Sequence, residues 1–107
     1  MIILPTDPKH DDKLKAKNAL YRVIDPELFV NIVDLGLIYD IEFIEDDIKV
    51  TMTLSTPHCP MGEAITGGVK NALGIEFPEK DTTIDLTFEP PWSFEMLTPE
   101  GREQLGV

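Results

Sequence analysis

Cys59 is the single cysteine among 107 residues, and it stands inside the run Thr56-Pro57-His58-Cys59-Pro60. A thiolate binds soft metals and attacks electrophiles, and the field at a helix N-terminus favours that ionised form. The run lies where an alternating pattern gives way to a helical one, with prolines on both sides of His58-Cys59. Proline suits the first helical position, which would make Pro60 the first helical residue and Cys59 the N-cap. The competing reading is a buried cysteine that packs as a small hydrophobe, and position alone does not separate the two. Adjacent side chains diverge, so an exposed histidine is the plainer reading of His58; His10 receives no role.

A second candidate is Asp25-Pro26-Glu27, two carboxylates on a proline-stiffened turn. The plain reading is a helix stop, because the residue before a proline avoids the α region. Asp34, ahead of Leu35-Gly36, likewise reads first as a turn residue. Other constellations are missing: there is no Gly-rich phosphate loop, CxxC, HxxxH or Ser-His-Asp set of familiar spacing.

The elements that must position these residues follow from periodicity. Asp11 or Asp12 suits a helix N-cap, and Ala16, Ala19, Leu20, Val23 and Ile24 form one helical stripe that runs to Asp25-Pro26. Leu28 to Leu35 reads as a partly buried loop. Leu37, Tyr39, Ile41 and Phe43 then share one strand face, Glu45-Asp46-Asp47 turns, and Ile48, Val50, Met52 and Leu54 alternate in a second strand. Met61, Ala64, Ile65, Gly68, Val69, Ala72 and Leu73 stripe a second helix, with Gly67-Gly68 read as close packing on the sheet and Gly74 as the C′ residue. Ile84, Leu86 and Phe88 mark a third strand that Pro90-Pro91 must end. Thr98 and Pro99 read as N-cap and first residue of a short terminal helix. The order α-β-β-α-β-α predicts an α+β fold, a two-layer α/β sandwich whose three-stranded mixed sheet carries its helices on one face. Leu37, Tyr39, Ile41, Phe43, Val50, Met52, Leu54, Ile84, Leu86 and Phe88 are the expected buried strand positions.

Composition narrows the function classes. Nine Lys and Arg against twenty Asp and Glu give a net charge of −11, the wrong sign for nucleic acid or an anionic membrane. One cysteine excludes an internal disulfide and fits a reducing compartment. Met1-Ile2-Ile3-Leu4-Pro5 is too short for a signal peptide, and no run approaches the roughly 18–20 apolar residues of a membrane span. These observations predict a cytoplasmic protein: a flexible arm over residues 1–10, where Pro5 and Pro8 block regular structure, then a single domain over 11–107.

Four ordered blocks carry a resemblance. Asp25-Pro26-Glu27, the stretch Asn31-Ile32-Val33-Asp34-Leu35-Gly36-Leu37-Ile38-Tyr39, then Thr56-Pro57-His58-Cys59-Pro60-Met61-Gly62, and Pro90-Pro91-Trp92 together resemble the iron–sulfur cluster assembly factor family. The resemblance runs from about the first helix to the C-terminus. It implies a role in maturing iron–sulfur proteins, with Cys59 as the reactive cysteine. It also implies an acidic turn at Asp25 and Glu27 and a hydroxyl pair at Ser55 and Thr56, where Ser55 replaces an often-found threonine. His58 occupies a variable position and inherits no role. PaaD-like members usually carry extra C-terminal cysteines, which this chain lacks, so the SufT-like branch is favoured.

Iron–sulfur clusters ordinarily have four protein ligands, mostly thiolates. Cys59 as a cluster ligand would therefore share the cluster with a client, a second subunit or a small thiol, and no tightly held cluster is expected in an isolated monomer. The implied partners are the assembly machinery and client apo-proteins, with a homodimer left open. Two other readings stand beside this one. A thiol enzyme using Cys59 as nucleophile needs a histidine base, and only His10 and His58 are available. A pure interaction module would carry an inert cysteine.

Overall fold

A computed structural model describes residues 3–55 and 62–106. The alternating segments form β1 (Ile38–Ile44) and β2 (Asp47–Met52), an antiparallel hairpin, and β3 (Asp81–Leu86) lies parallel to β2 on its other side. A parallel neighbour requires a crossover, and α2 (Gly62–Glu76) supplies it. α1 (His10–Leu20) and α2 pack on one face of the sheet, over Ile41, Ile48, Val50 and Met52, which are fully buried with Leu20, Ile65, Val69 and Leu73. The other face carries the exposed Glu42, Thr83 and Asp85 and the half-buried Lys49 and Thr51. The α+β class, the element order and the mixed three-stranded sheet are as the periodicity predicts.

Three strand positions differ from expectation. Ile38 pairs with Met52 but Asp40 pairs with Thr51, so Tyr39 is an extra residue in β1. Such a bulge reverses the facing of the chain. Ile38 therefore takes the buried position, and Tyr39 is half-buried with its hydroxyl donating to the Pro90 carbonyl at 2.7 Å. Leu86 and Phe88 remain 43% and 37% exposed. Leu86 shares the inner face with Met52, its register partner, but β3 is an edge strand, and Phe88 lies beyond its end.

The helix ends differ as well. Lys9 is the N-cap of α1, and Asp11 and Asp12 fall in its first turn, where carboxylates still suit the dipole. The helix stops at Leu20, short of Asp25-Pro26, because Arg22 and Val23 donate to the carbonyls three residues back, at 3.2 and 3.1 Å. Val23 stays in the core while Ile24 turns outward. α2 continues through Gly74, so that residue is not its C′. A Cβ at Gly67 or Gly74 would meet nothing within 4 Å, whereas one at Gly68 would meet the Val23 side chain at 3.1 Å. The close packing is thus at Gly68 alone, and against the chain after α1 rather than the sheet. Ahead of α1, Asp7 pairs with Lys13 at 2.7 Å, a contact that holds the Asp7 carboxyl below its ordinary pKa.

The C-terminal segment is clasped to the loop before β1. Thr98 caps α3 (Pro99–Leu105) by accepting from Gly101 N–H at 3.1 Å, with Pro99 in the first turn. Its hydroxyl also donates to Asp34 Oδ1 at 3.0 Å. Asp34 Oδ2 accepts from Asn31 Nδ2 at 2.7 Å and Gln104 Nε2 at 3.3 Å, and the Asp34 carbonyl accepts the Thr98 N–H at 2.9 Å. Asp34 is more than a turn residue: it is the buried hub of this contact. Trp92 Nε1 donates to the Leu35 carbonyl at 2.6 Å. Two glycines let the backbones meet. Gly36, at φ +77°, faces the Met96 carbonyl, and a Cβ on Gly101 would stand 2.5 Å from the Asp34 carbonyl oxygen.

Candidate functional site

Asp25-Pro26-Glu27 begins a single capped turn. Asp25 Oδ1 accepts the N–H groups of Glu27 and Leu28, at 2.8 and 3.1 Å. This is N-cap geometry, with Pro26 in the position where a missing N–H costs nothing. Phe29 closes the turn by donating to the Asp25 carbonyl at 2.8 Å, at φ 59°, a left-handed conformation that β-carbon sterics disfavour. Its ring is 79% exposed. The Asp25 N–H donates to the Val30 carbonyl at 3.0 Å, and Ile24 bridges Asn31.

Capping accounts for one carboxylate oxygen only. Asp25 is 0% exposed, and its Oδ2 is buried with no hydrogen-bond partner among the described residues. Leaving a buried acceptor unsatisfied costs about 1–3 kcal/mol, and such groups in native proteins call for a specific explanation. The Glu27 carboxylate, two residues on, reaches the surface.

A backbone relay joins this turn to the end of β2. Thr53 N–H donates to Leu37 at 2.9 Å, Leu37 to Ile32 at 3.1 Å, and Ile32 to Val23 at 3.0 Å. Ser55, half-buried, follows two residues after Thr53. The first residue of α2, Gly62, packs so closely on Leu54 that an added Cβ would come within 2.9 Å of its Cδ1. The Leu54–Gly62 contact brings the described ends of the cysteine run together, and the relay ties the chain just before Asp25 to the strand that leads into that run. Thr56, His58 and Cys59 themselves lie outside the described residues. No cluster of three or more His, Cys, Asp or Glu suited to a metal occurs among the described residues, and none of their helices is long and apolar enough to cross a membrane.

A cleft of about 110 Å³ lies between α1 and the C-terminal clasp, lined by Tyr21, Lys17, Val33 and Met96 among others. Burial raises the Tyr21 phenol above its ordinary pKa of 10.0, and the Asp34 and Glu100 carboxylates add to the shift.

Sequence reasoning found the acidic turn but missed two features. The open Asp25 oxygen depends on what covers the turn, which no local pattern encodes. The Asp34 hub had a faint signal in Asn31, three residues earlier, whose Oδ1 accepts the Asp34 N–H at 2.8 Å; its other partners lie far along the chain.

A family model described as "Iron-sulfur cluster assembly protein" matches residues 13–86. The chain is 42% identical over 91 residues to the Fe-S protein maturation auxiliary factor YitW of Bacillus subtilis, covering 83% of this chain and 88% of that one. It is 41% identical over 87 residues to the Fe-S protein maturation auxiliary factor SufT of Staphylococcus aureus, covering 79% and 98%. The crystal structure of a domain of unknown function from Bacillus anthracis superposes with a TM-score of 0.82 at 38% identity, over 88% of this chain and 91% of that one.

Proposed function

This chain belongs to the iron–sulfur cluster assembly protein family, and on that premise we propose that it helps to assemble clusters or deliver them to client apo-proteins through Cys59. The cluster is its cargo, and the protein acts as a binding and transfer factor without turnover. Asp25, Glu27, Ser55, Thr56 and Cys59 make up the working site. The observation that supports the reading is the buried Asp25 Oδ2, which has no hydrogen-bond partner among the described residues. An acceptor kept open at a cost in stability is what a site that receives a ligand requires.

One thiol per chain leaves most of a four-ligand cluster shell to others. A client or a donor protein of the assembly machinery completes it, so the cluster is held in transit and released as the client's own thiolates take over.

The test compares wild type with Cys59→Ser in thermal melting and in anaerobic transfer of a reconstituted cluster to an apo-ferredoxin. Serine is nearly isosteric and a good N-cap, so both proteins melt alike while the variant fails to transfer. Equal melting with equal transfer removes Cys59 from the function. A variant that melts far lower marks it as a core residue.

A further inference from the structure

We infer that Asn31 and Asp34 are positioning residues, which carry the hold of the C-terminal segment to the capped Asp25 turn. The turn connects two short segments that face each other. Ile24 bridges Asn31 in antiparallel fashion. The Asp25 N–H donates to the Val30 carbonyl at 3.0 Å, and the Ile32 N–H donates to the Val23 carbonyl at 3.0 Å. Where residues 30–32 stand therefore decides where Asp25 stands. Asn31 is the middle residue of that segment and is buried. Its side-chain amide meets Asp34 at two points: Nδ2 donates to Asp34 Oδ2 at 2.7 Å, and Oδ1 accepts the Asp34 N–H at 2.8 Å. Asp34 in turn is held from the far end of the chain, by Thr98 at 3.0 Å and Gln104 at 3.3 Å. One continuous set of hydrogen bonds thus runs from α3 and its cap, through two buried side chains, to the backbone of the acidic turn.

The form of this contact favours placement over added core. α3 fully buries only Gly101, and Leu105 is partly buried, so α3 covers little apolar surface for a helix. Its contribution is directional instead. A buried polar network with its groups satisfied holds one arrangement, whereas apolar side chains can slide past one another. The sheet anchors the same segment elsewhere: the Leu37 N–H donates to the Ile32 carbonyl at 3.1 Å. That bond holds the end of the segment nearest the sheet, and the Asn31–Asp34 pair holds its middle against the C-terminal clasp. The inference rests on the proposed function for what the turn does there. A displaced turn takes the Asp25 carboxylate out of register with the rest of the working site, and a misplacement of about 1 Å can slow a reaction on the order of a hundredfold.

The experiment uses Thr98→Val/Gln104→Ala in the full, isotope-labelled chain, which removes both C-terminal donors and leaves Asn31, Asp34 and the turn unchanged. NMR hydrogen exchange reads the amides of Asp25, Glu27, Leu28 and Phe29, all hydrogen-bonded at the turn. They should exchange about tenfold faster, the factor that one such hydrogen bond carries, beyond any change shared with the amides of β2. Anaerobic transfer of a reconstituted cluster to an apo-ferredoxin should slow roughly tenfold as well. Thr98→Val alone should show the same pattern at smaller size, and Thr98→Ser, which keeps the hydroxyl, should match wild type in both readouts. Gly67→Ala/Gly74→Ala, at open positions on α2, separates placement from stability. Added to the first variant, it should restore melting while the turn still exchanges fast and transfer stays slow. The inference is overturned if the turn amides change only as the β2 amides do, if restored melting restores the turn or the transfer, or if the turn loosens with transfer unchanged. The exchange readout needs no cluster. Normal transfer by Cys59→Ser therefore removes the proposed function, while exchange still decides whether the clasp holds the turn.

Discussion

Replacing Asp34 by alanine removes the hub that joins the C-terminal segment to the loop before β1. Three side-chain hydrogen bonds to its carboxylate vanish, from Asn31, Thr98 and Gln104. A hydrogen bond to a charged acceptor contributes about 1.5–3 kcal/mol. Gln104 is exposed and Thr98 half-exposed, so water replaces much of what they lose, whereas Asn31 is buried and its amide is left without a partner. Weighing the first two lightly and the third fully gives a loss of about 3–5 kcal/mol, a large share of the 5–15 kcal/mol typical of a domain. Asp34→Asn keeps the volume but sets an amide donor against the Asn31 donor, and should lose about 2 kcal/mol. Urea unfolding followed by circular dichroism measures the loss. Trp92 is the single tryptophan, and its indole N–H holds the Leu35 carbonyl, so its fluorescence reports the clasp directly. Below the global transition, Asp34→Ala should already show red-shifted emission. A loss under about 1 kcal/mol with unshifted Trp92 emission would refute the hub, since it falls below the value of one such bond.

Three further outcomes follow, two from glycines and one from Tyr21. Gly67→Ala and Gly74→Ala, in open positions on α2, should each raise stability by about 0.5–1 kcal/mol in the same urea titration. Gly36→Ala and Gly101→Ala, where the clasp backbones meet, should each lose more than about 1 kcal/mol. The raised Tyr21 pKa makes the folded chain hold a proton that the unfolded chain releases near 10.0. The resulting stability term is fully present below pH 10.0 and is lost as pH rises through the folded value. Tyr21→Phe should flatten that alkaline decline in stability, and an unchanged slope would remove Tyr21 as its source.

What the sequence disclosed and what it hid divide along the range of the interactions. The hairpin was legible because one face is buried, and burial writes period two into residues 38–54. The phase error at Tyr39 arose because a bulge preserves composition while reversing facing, and Tyr39 and Ile38 are both plausible inward residues. α1 ended early for a similar reason: Val23 continues the stripe in position although its backbone has left the helix. Thr98-Pro99 predicted a capped helix correctly, but its second bond, to Asp34, spans sixty-four residues, beyond any local pattern. At the site, the Asp-Pro pair announced a turn. That only one oxygen of Asp25 finds a partner among the described residues is a property of the packed molecule.

The parallel pairing of β2 with β3 also sets an order of events during synthesis. The β1–β2 hairpin closes from neighbouring residues and can form within microseconds of leaving the ribosome. β3 can join only after α2 has been made and laid across the sheet, a longer loop closure that slows folding. A nascent chain halted before residue 81 therefore leaves β2, the central strand, with one edge still unpaired. An exposed β2 edge in the interval is the point at which aggregation of slow-folding variants should begin.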